Sequence, residues 1–342
     1  MSEVVRSALS MVVDGGTLTM ADAREAMGAV MDGEASPAQL AALLVALRMR
    51  GETEDELAGF AAAMRDRVLR VDAPDGAIDV VGTGGDRSGT FNISTTAALI
   101  VAAAGIPVAK HGNRAITSRA GSADVLDALG VRIDHDPESA ARALREIGFA
   151  FLFAPGFHPA MRHAGPTRKE IGIRTAFNLL GPLTNPAGTR RQVIGVGDAA
   201  AAARIARVAQ LLGTERTLVV HGDGVDELPL DRSGIIHDVT AGAIVERVVD
   251  PSACGLATAT LADLAGGTPE ENARLVEAVL AGEPGHRRDA ALLNAGAAFV
   301  AAGRVGELPD GVALAGSTIA SRAPLGLLER LRAERRGREA TR

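Results

Sequence analysis

The chain has 342 residues, 47% of them hydrophobic, and a formal net charge of −6; it can bury a sizeable core, and its acidic balance argues against a nucleic-acid or membrane-surface partner. No apolar run reaches the roughly 18–20 residues that span a bilayer, and residues 1–15 lack the basic and apolar regions of a signal peptide. The single cysteine, Cys254, excludes an intramolecular disulfide and a thiolate metal cluster, so a reduced, cytoplasmic protein is expected.

Residues up to about 70 read as helices only. Thr19 precedes Met20-Ala21-Asp22, while Ser36-Pro37-Ala38-Gln39 and Thr53-Glu54-Asp55-Glu56 have capping-box form. Gly33 and Gly51 are the expected stops. Leu40, Leu43, Leu44 and Leu47 recur at helical spacing, which serves either ordinary core packing or a dimer contact. After Pro74 the pattern changes. Strands are predicted at 78–81, 106–109, 149–153, 192–196 and 217–221, with helices at 94–104, 121–129 and 199–212 between them. Strand–helix alternation of this kind implies an α/β domain with a largely parallel sheet. Segments 235–239 and 243–248 predict a hairpin, and the chain from 270 onward is helical, ending in a charged, frayed 333–342. The expected organisation is a small helical domain over 1–72, joined by a mid-chain segment near 166–190, packed on an α/β domain over 73–342.

Composition adds a second signal. Lys110 and Lys169 are the only lysines among 36 Lys plus Arg, and there are six asparagines. A lysine that persists against such a bias is expected where a compact ammonium does what a planar guanidinium cannot.

Four constellations carry chemistry. Gly82-Thr83-Gly84-Gly85-Asp86 follows a predicted strand and leads through Thr90 and Asn92 into Ser94-Thr95-Thr96 at a helix start. Glycines let backbone N–H groups approach a bulky anion, and a helix start offers more of them. Lys110-His111-Gly112-Asn113-Arg114, with Thr117-Ser118 and Gly121-Ser122-Ala123-Asp124, follows the next strand and forms a second anion cradle at the same sheet edge. His111 reads either as a general base or as a polar donor. His221-Gly222-Asp223-Gly224-Val225-Asp226-Glu227 follows a third strand, and its adjacent carboxylates suit magnesium, which takes one or two carboxylates beside phosphates and water. Arg162, Arg168, Lys169 and Arg174, ahead of Phe177-Asn178-Leu179-Leu180-Gly181-Pro182, can hold an anionic acceptor, an arginine fork matching a carboxylate.

Together GTGGD, NISTT, KHGNR, GSAD, RTAFNLLGPLTNP and the Asp226-Glu227 pair resemble the anthranilate phosphoribosyltransferase family, over nearly the whole chain and through Leu293-Asn294-Ala295. The resemblance implies a nucleoside-phosphorylase-like architecture, a homodimer paired through the helical domains, and a role in tryptophan biosynthesis. The substrates would be phosphoribosyl pyrophosphate and anthranilate, with two magnesium ions per subunit. It also implies that Gly82, Gly85, Asp86, Thr90, Asn92, Ile93, Ser94 and Thr95 contact phosphoribosyl pyrophosphate. Lys110, His111, Gly112, Asn113, Arg114, Ala115, Ile116, Thr117, Ser118 and Ser122 continue that site. Gly82, Asn113 and Arg168 would face anthranilate, and Ser94, Asp226 and Glu227 the magnesium. Three positions depart from the family: Arg87 after GTGGD, Pro229 after Asp-Glu-Leu, and Ser321-Arg322-Ala323-Pro324. A pyrimidine nucleoside phosphorylase of the same fold, or a non-catalytic binding protein, are the alternatives; Arg168, the full KHGNR stretch and the retained acid pair argue against them.

Overall fold

The computed structural model describes residues 1–86, 88–115 and 119–339. Four helices open the chain: α1 (Glu3–Val13), α2 (Met20–Met31), α3 (Pro37–Arg50) and α4 (Glu54–Arg65). The Thr19, Ser36 and Thr53 side chains accept the N–H groups of Asp22, Gln39 and Glu56, the last two as reciprocal capping boxes. Such caps contribute about 1 kcal/mol each. Gly33 and Gly51 take φ of 79° and 93° just past α2 and α3, a left-handed turn that side chains resist. Leu40, Leu43, Leu44 and Leu47 are all buried with Leu57 and Phe60 inside the chain's own core, so the apolar face of α3 packs internally.

The α/β domain is built on seven strands, β1 (Ile78–Gly82), β2 (Val108–Gly112), β3 (Phe149–Phe153), β4 (Arg191–Gly195), β5 (Arg216–His221), β6 (Gly234–Thr240) and β7 (Ile244–Val249). Their order is β3-β2-β1-β4-β5-β6-β7. β1 to β5 run parallel, and β6 and β7 add antiparallel at one side as the expected hairpin. The chain moves outward from β1 through β2 and β3, then returns to pair β4 on the other flank of β1. The switch point therefore lies between β1 and β4, where ligand crevices open in such sheets.

The second strand runs longer than its hydropathy implies. It covers 108–112 rather than 106–109, so Lys110, His111 and Gly112 are strand residues, in register with β3 up to Gly112 opposite Phe153. Both polar heads have internal partners, which is why polarity does not end the strand.

Alternate residues face opposite ways. Ile78, Val80, Val108, Val193 and Leu218 pack against α5 (Ile93–Ala103) and the His286–Ala301 helix. On the other face, Ile194 and Val219 join the Ala199–Leu211 helix in one cluster with the N-terminal helices and with Ala176, Phe177, Leu180 and Leu183. The C-terminal segment is not frayed over 333–339: the Ala323–Glu339 helix is held by Arg332 on Glu277 (2.9 Å), Arg335 on Asp127 (2.8 Å) and Arg338 on Asp134. Residues 340–342 lie outside the described residues. Ser321 and Arg322 form the joint between the last two helices, with Arg322 at φ 62°, and Ala323-Pro324 open the last one. Among the described residues no helix is long and apolar enough to cross a membrane.

Candidate active site

Gly82 ends β1 directly opposite Gly195 at the end of β4. Over this pair lies the loop after β5. A Cβ on Gly195 would stand 1.7 Å from the Asp226 carbonyl oxygen, and one on Gly82 would stand 2.4 Å from Asp226 Oδ2. Only glycine at both strand ends lets that loop settle on the switch point. Asp226 Oδ2 accepts the N–H of Gly84 at 2.8 Å, and Glu227 Oε1 accepts the N–H of Ser94, at the start of α5, at 3.0 Å. Three chain-distant motifs thus converge: the glycine loop after β1, the first turn of α5 and the acid pair after β5.

Burial and mutual repulsion dominate the acids. Burial, with Asp86 nearby, pushes Asp226 up to about 7, and burial with Asp226 pushes Glu227 well above the usual carboxylate range. Crowded carboxylates that resist ionising fit a divalent cation, which relieves the repulsion. Among the described residues no three His, Cys, Asp or Glu groups form a ready-made metal cage.

Lys110 lies beneath the acids rather than in the open cleft. It is 2% exposed, and its Nζ donates to the Val80 carbonyl. Burial lowers its pKa, while Asp79, Glu227 and Asp226 work against that. On the opposite face of the sheet Asp79, wholly buried, accepts from Asn185 Nδ2 (2.7 Å) and the His111 N–H (3.2 Å), and burial raises it to about 6. His111 is also buried: Nδ1 meets the Gly181 carbonyl and Nε2 meets His158 Nε2, each at 3.2 Å. Burial drives the two imidazoles down to about 3 and 4. His111 therefore stands neutral and tied to a second histidine, a poor candidate for a general base.

Other predicted residues hold the loops to one another. Asn92 bridges to the Ala120 carbonyl (3.3 Å) and to Asn272 (2.8 Å), linking the first loop to the second. Thr95 is fully buried at the start of α5, its hydroxyl without a partner among the described residues. Thr90 bridges Ala265, and its hydroxyl lies 3.2 Å from Ser88. Asn113 is exposed, while Arg114 is held by Asp124 (2.7 Å) and Asp127 (3.2 Å). Asp124 also accepts the N–H groups of Ala115 and Gly121, and Ser122 Oγ donates to the Asn113 carbonyl. Arg87, Ile116, Thr117 and Ser118 lie outside the described residues. Arg168 stands 4.5 Å over the Phe177 ring, half-buried and with no carboxylate partner among the described residues. It makes no hydrogen bond to Gly82 or Asn113. Pro229 fills the space beside Gly222 and Gly234.

Sequence reasoning missed Asn294, which is buried and clamps both backbone groups of Leu228 directly after the acid pair. It also missed Asn272 and His158, and it named Asn185 within a motif without giving it a role. The signal was available. In a chain with six asparagines, Asn92, Asn185, Asn272 and Asn294 each bond to a distant segment.

A helical domain beside a switch-point cleft, with a glycine cradle and crowded acids, defines a glycosyl-transferring enzyme. Residues 74–323 match the glycosyl transferase family a/b domain and residues 6–68 the glycosyl transferase family helical bundle domain. A Thermomicrobium roseum anthranilate phosphoribosyltransferase is 52% identical over 335 residues, 96% of each chain. The crystal structure of the Thermus thermophilus enzyme of that name superposes with a TM-score of 0.91 at 48% identity, covering 96% of this chain and 99% of that one. The Saccharomyces cerevisiae enzyme in complex with PRPP and Mg gives 0.89 at 27% identity, over 98% and 99%. The chain belongs to the anthranilate phosphoribosyltransferase family, among the pentosyl-transferring glycosyltransferases.

Proposed function

We propose that the protein transfers the 5-phosphoribosyl group from phosphoribosyl pyrophosphate to the amine of anthranilate, releasing pyrophosphate, as a step of tryptophan biosynthesis. The observation that carries this reading is the convergence of Asp226 and Glu227 on the N–H groups of Gly84 and Ser94. An acid pair resting on an anion cradle is an arrangement for a cation-bound polyphosphate. Arg168, half-buried and without a carboxylate partner among the described residues, supports the acceptor assignment, since its planar fork suits the anthranilate carboxylate.

Displacement at ribose C1 passes through an oxocarbenium-like state. Asp226, Glu227 and Ser94 would hold magnesium, two ions per subunit, and the metal would offset charge on the departing pyrophosphate. Lys110 would supply positive charge within electrostatic reach of the acids, and the α5 N-terminus N–H donors. Asn113 and Gly82 would face anthranilate, with the stretch from Gly112 to Ser118 and Ser122 continuing the phosphoribosyl site past the buried Lys110 and His111. The amine needs no protein nucleophile, and positioning replaces a strong base.

The domain division at 72/73, a homodimer through the helical domain and a cytoplasmic setting belong to the same proposal. Loss of anthranilate fluorescence on mixing with phosphoribosyl pyrophosphate and Mg²⁺ is the expected outcome; no turnover in that assay would overturn the reading.

A further inference from the structure

Arg174, one of the cations that sequence offers for an anionic acceptor and one to which the family resemblance gives no contact, lies on the exposed stretch ahead of Ala176 and Phe177, which pack into the N-terminal helical core. Its guanidinium reaches across to the glycine loop. Nη1 donates to the Gly85 carbonyl at 2.9 Å and Nη2 to the Gly84 carbonyl at 3.3 Å. Arg174 pairs with no carboxylate among the described residues, so these two carbonyls are its anchor. Gly84 and Gly85 adopt φ of 64° and 72°, and a Cβ on Gly85 would stand 2.7 Å from Arg174 Nη1.

In a planar trans peptide the N–H points opposite the carbonyl. Holding the Gly84 and Gly85 carbonyls therefore turns the N–H groups of Gly85 and Asp86 away from Arg174. Neither N–H meets an acceptor among the described residues. Two successive free N–H groups turned the same way offer an anion a pair of donors. We infer that Arg174 is a positioning residue for the pyrophosphate end of the substrate, which orients the Gly85 and Asp86 N–H groups from behind the loop. The inference rests on the functional reading above and extends it, because the clamp comes from the segment packed with the helical domain. The geometry of the phosphate cradle then depends on how that domain sits.

The test is calorimetric titration of the wild type, Arg174→Ala and Arg174→Lys with inorganic pyrophosphate in the presence of Mg²⁺, alongside steady-state kinetics. Arg174→Ala is expected to weaken pyrophosphate about 10-fold, the value of a charged double hydrogen bond, and to raise KM for phosphoribosyl pyrophosphate alike. KM for anthranilate and the melting temperature stay within about twofold and a few degrees. Arg174→Lys should recover less than half of the loss, since one ammonium cannot span both carbonyls. Arg174 borders a cavity of about 400 Å³, so added guanidinium ion should partly rescue the alanine variant. Unchanged pyrophosphate affinity in Arg174→Ala overturns the inference, as does an equal loss for pyrophosphate and anthranilate with lowered melting. A wild type that binds pyrophosphate but never consumes anthranilate sinks the functional reading and leaves the Arg174 comparison standing.

Discussion

Lys110 shows how burial changes the meaning of a residue. Its rarity marks it as a position where lysine matters, yet the ammonium sits inside the sheet on the Val80 carbonyl, 2% exposed. Lys110→Arg keeps the charge but forces a larger head into a close-packed slot, which costs about 1–3 kcal/mol. Urea unfolding should show that loss, and KM for phosphoribosyl pyrophosphate should rise as the acids above shift; a variant with wild-type stability and kinetics would contradict the buried placement. Arg168 is the opposite case, a guanidinium stacked on Phe177 with no carboxylate on its fork among the described residues. Arg168→Ala is expected to raise KM for anthranilate by 10-fold or more, for a lost charge-assisted contact of about 1.5–3 kcal/mol, with Arg168→Lys a weak substitute. An effect confined to phosphoribosyl pyrophosphate would remove Arg168 from the acceptor site. Sequence assigned Lys110 to the phosphoribosyl side and Arg168 to the acceptor, but not the burial of the first or the stacking of the second on Phe177, which depend on distant segments.

At the scale of elements, the ends of β1 and β4 decide the site. Gly82 and Gly195 pair across the switch point, and the Asp226 backbone presses on the second. Gly195→Ala places a methyl against a carbonyl oxygen that belongs to the β5 loop, so the loop must lift. The expected result is a stability loss of about 1–3 kcal/mol with at least a 10-fold fall in Mg²⁺-dependent turnover. Retained turnover with unaltered metal dependence would show that the acids need not rest there. Gly82 was legible as part of a glycine loop. Gly195, inside an apolar strand pattern, carried no such mark, because its requirement comes from a residue 31 positions further along.

Across the whole molecule, the His111–His158 pair ties the central sheet to the segment beside the helical domain. Both imidazoles fall from 6.5 to about 3 and 4 through burial. The unfolded chain takes up protons below pH 6.5 where the folded one does not, so their contribution is intact above that pH and is lost as the pH falls. Each imidazole accounts for about 2 kcal/mol between pH 6.5 and 5. Asp79, raised to about 6, acts in the opposite sense, so the effect is read as a difference between proteins. Urea midpoints at pH 7 and 5 should fall further for the wild type than for His158→Asn; equal falls would refute the assignment. The sequence by itself determined the capped helices, the alternation that makes a parallel sheet and the motifs whose set matched one family. These rest on local propensity, periodicity and spacing, which act within a few residues. The tertiary structure alone decided that Lys110 and His111 turn inward, that Asp226 lies on Gly195 and that Arg174 grips the glycine loop. Each of these depends on contacts between segments far apart in the chain, where burial and repulsion, rather than residue type, set the chemistry.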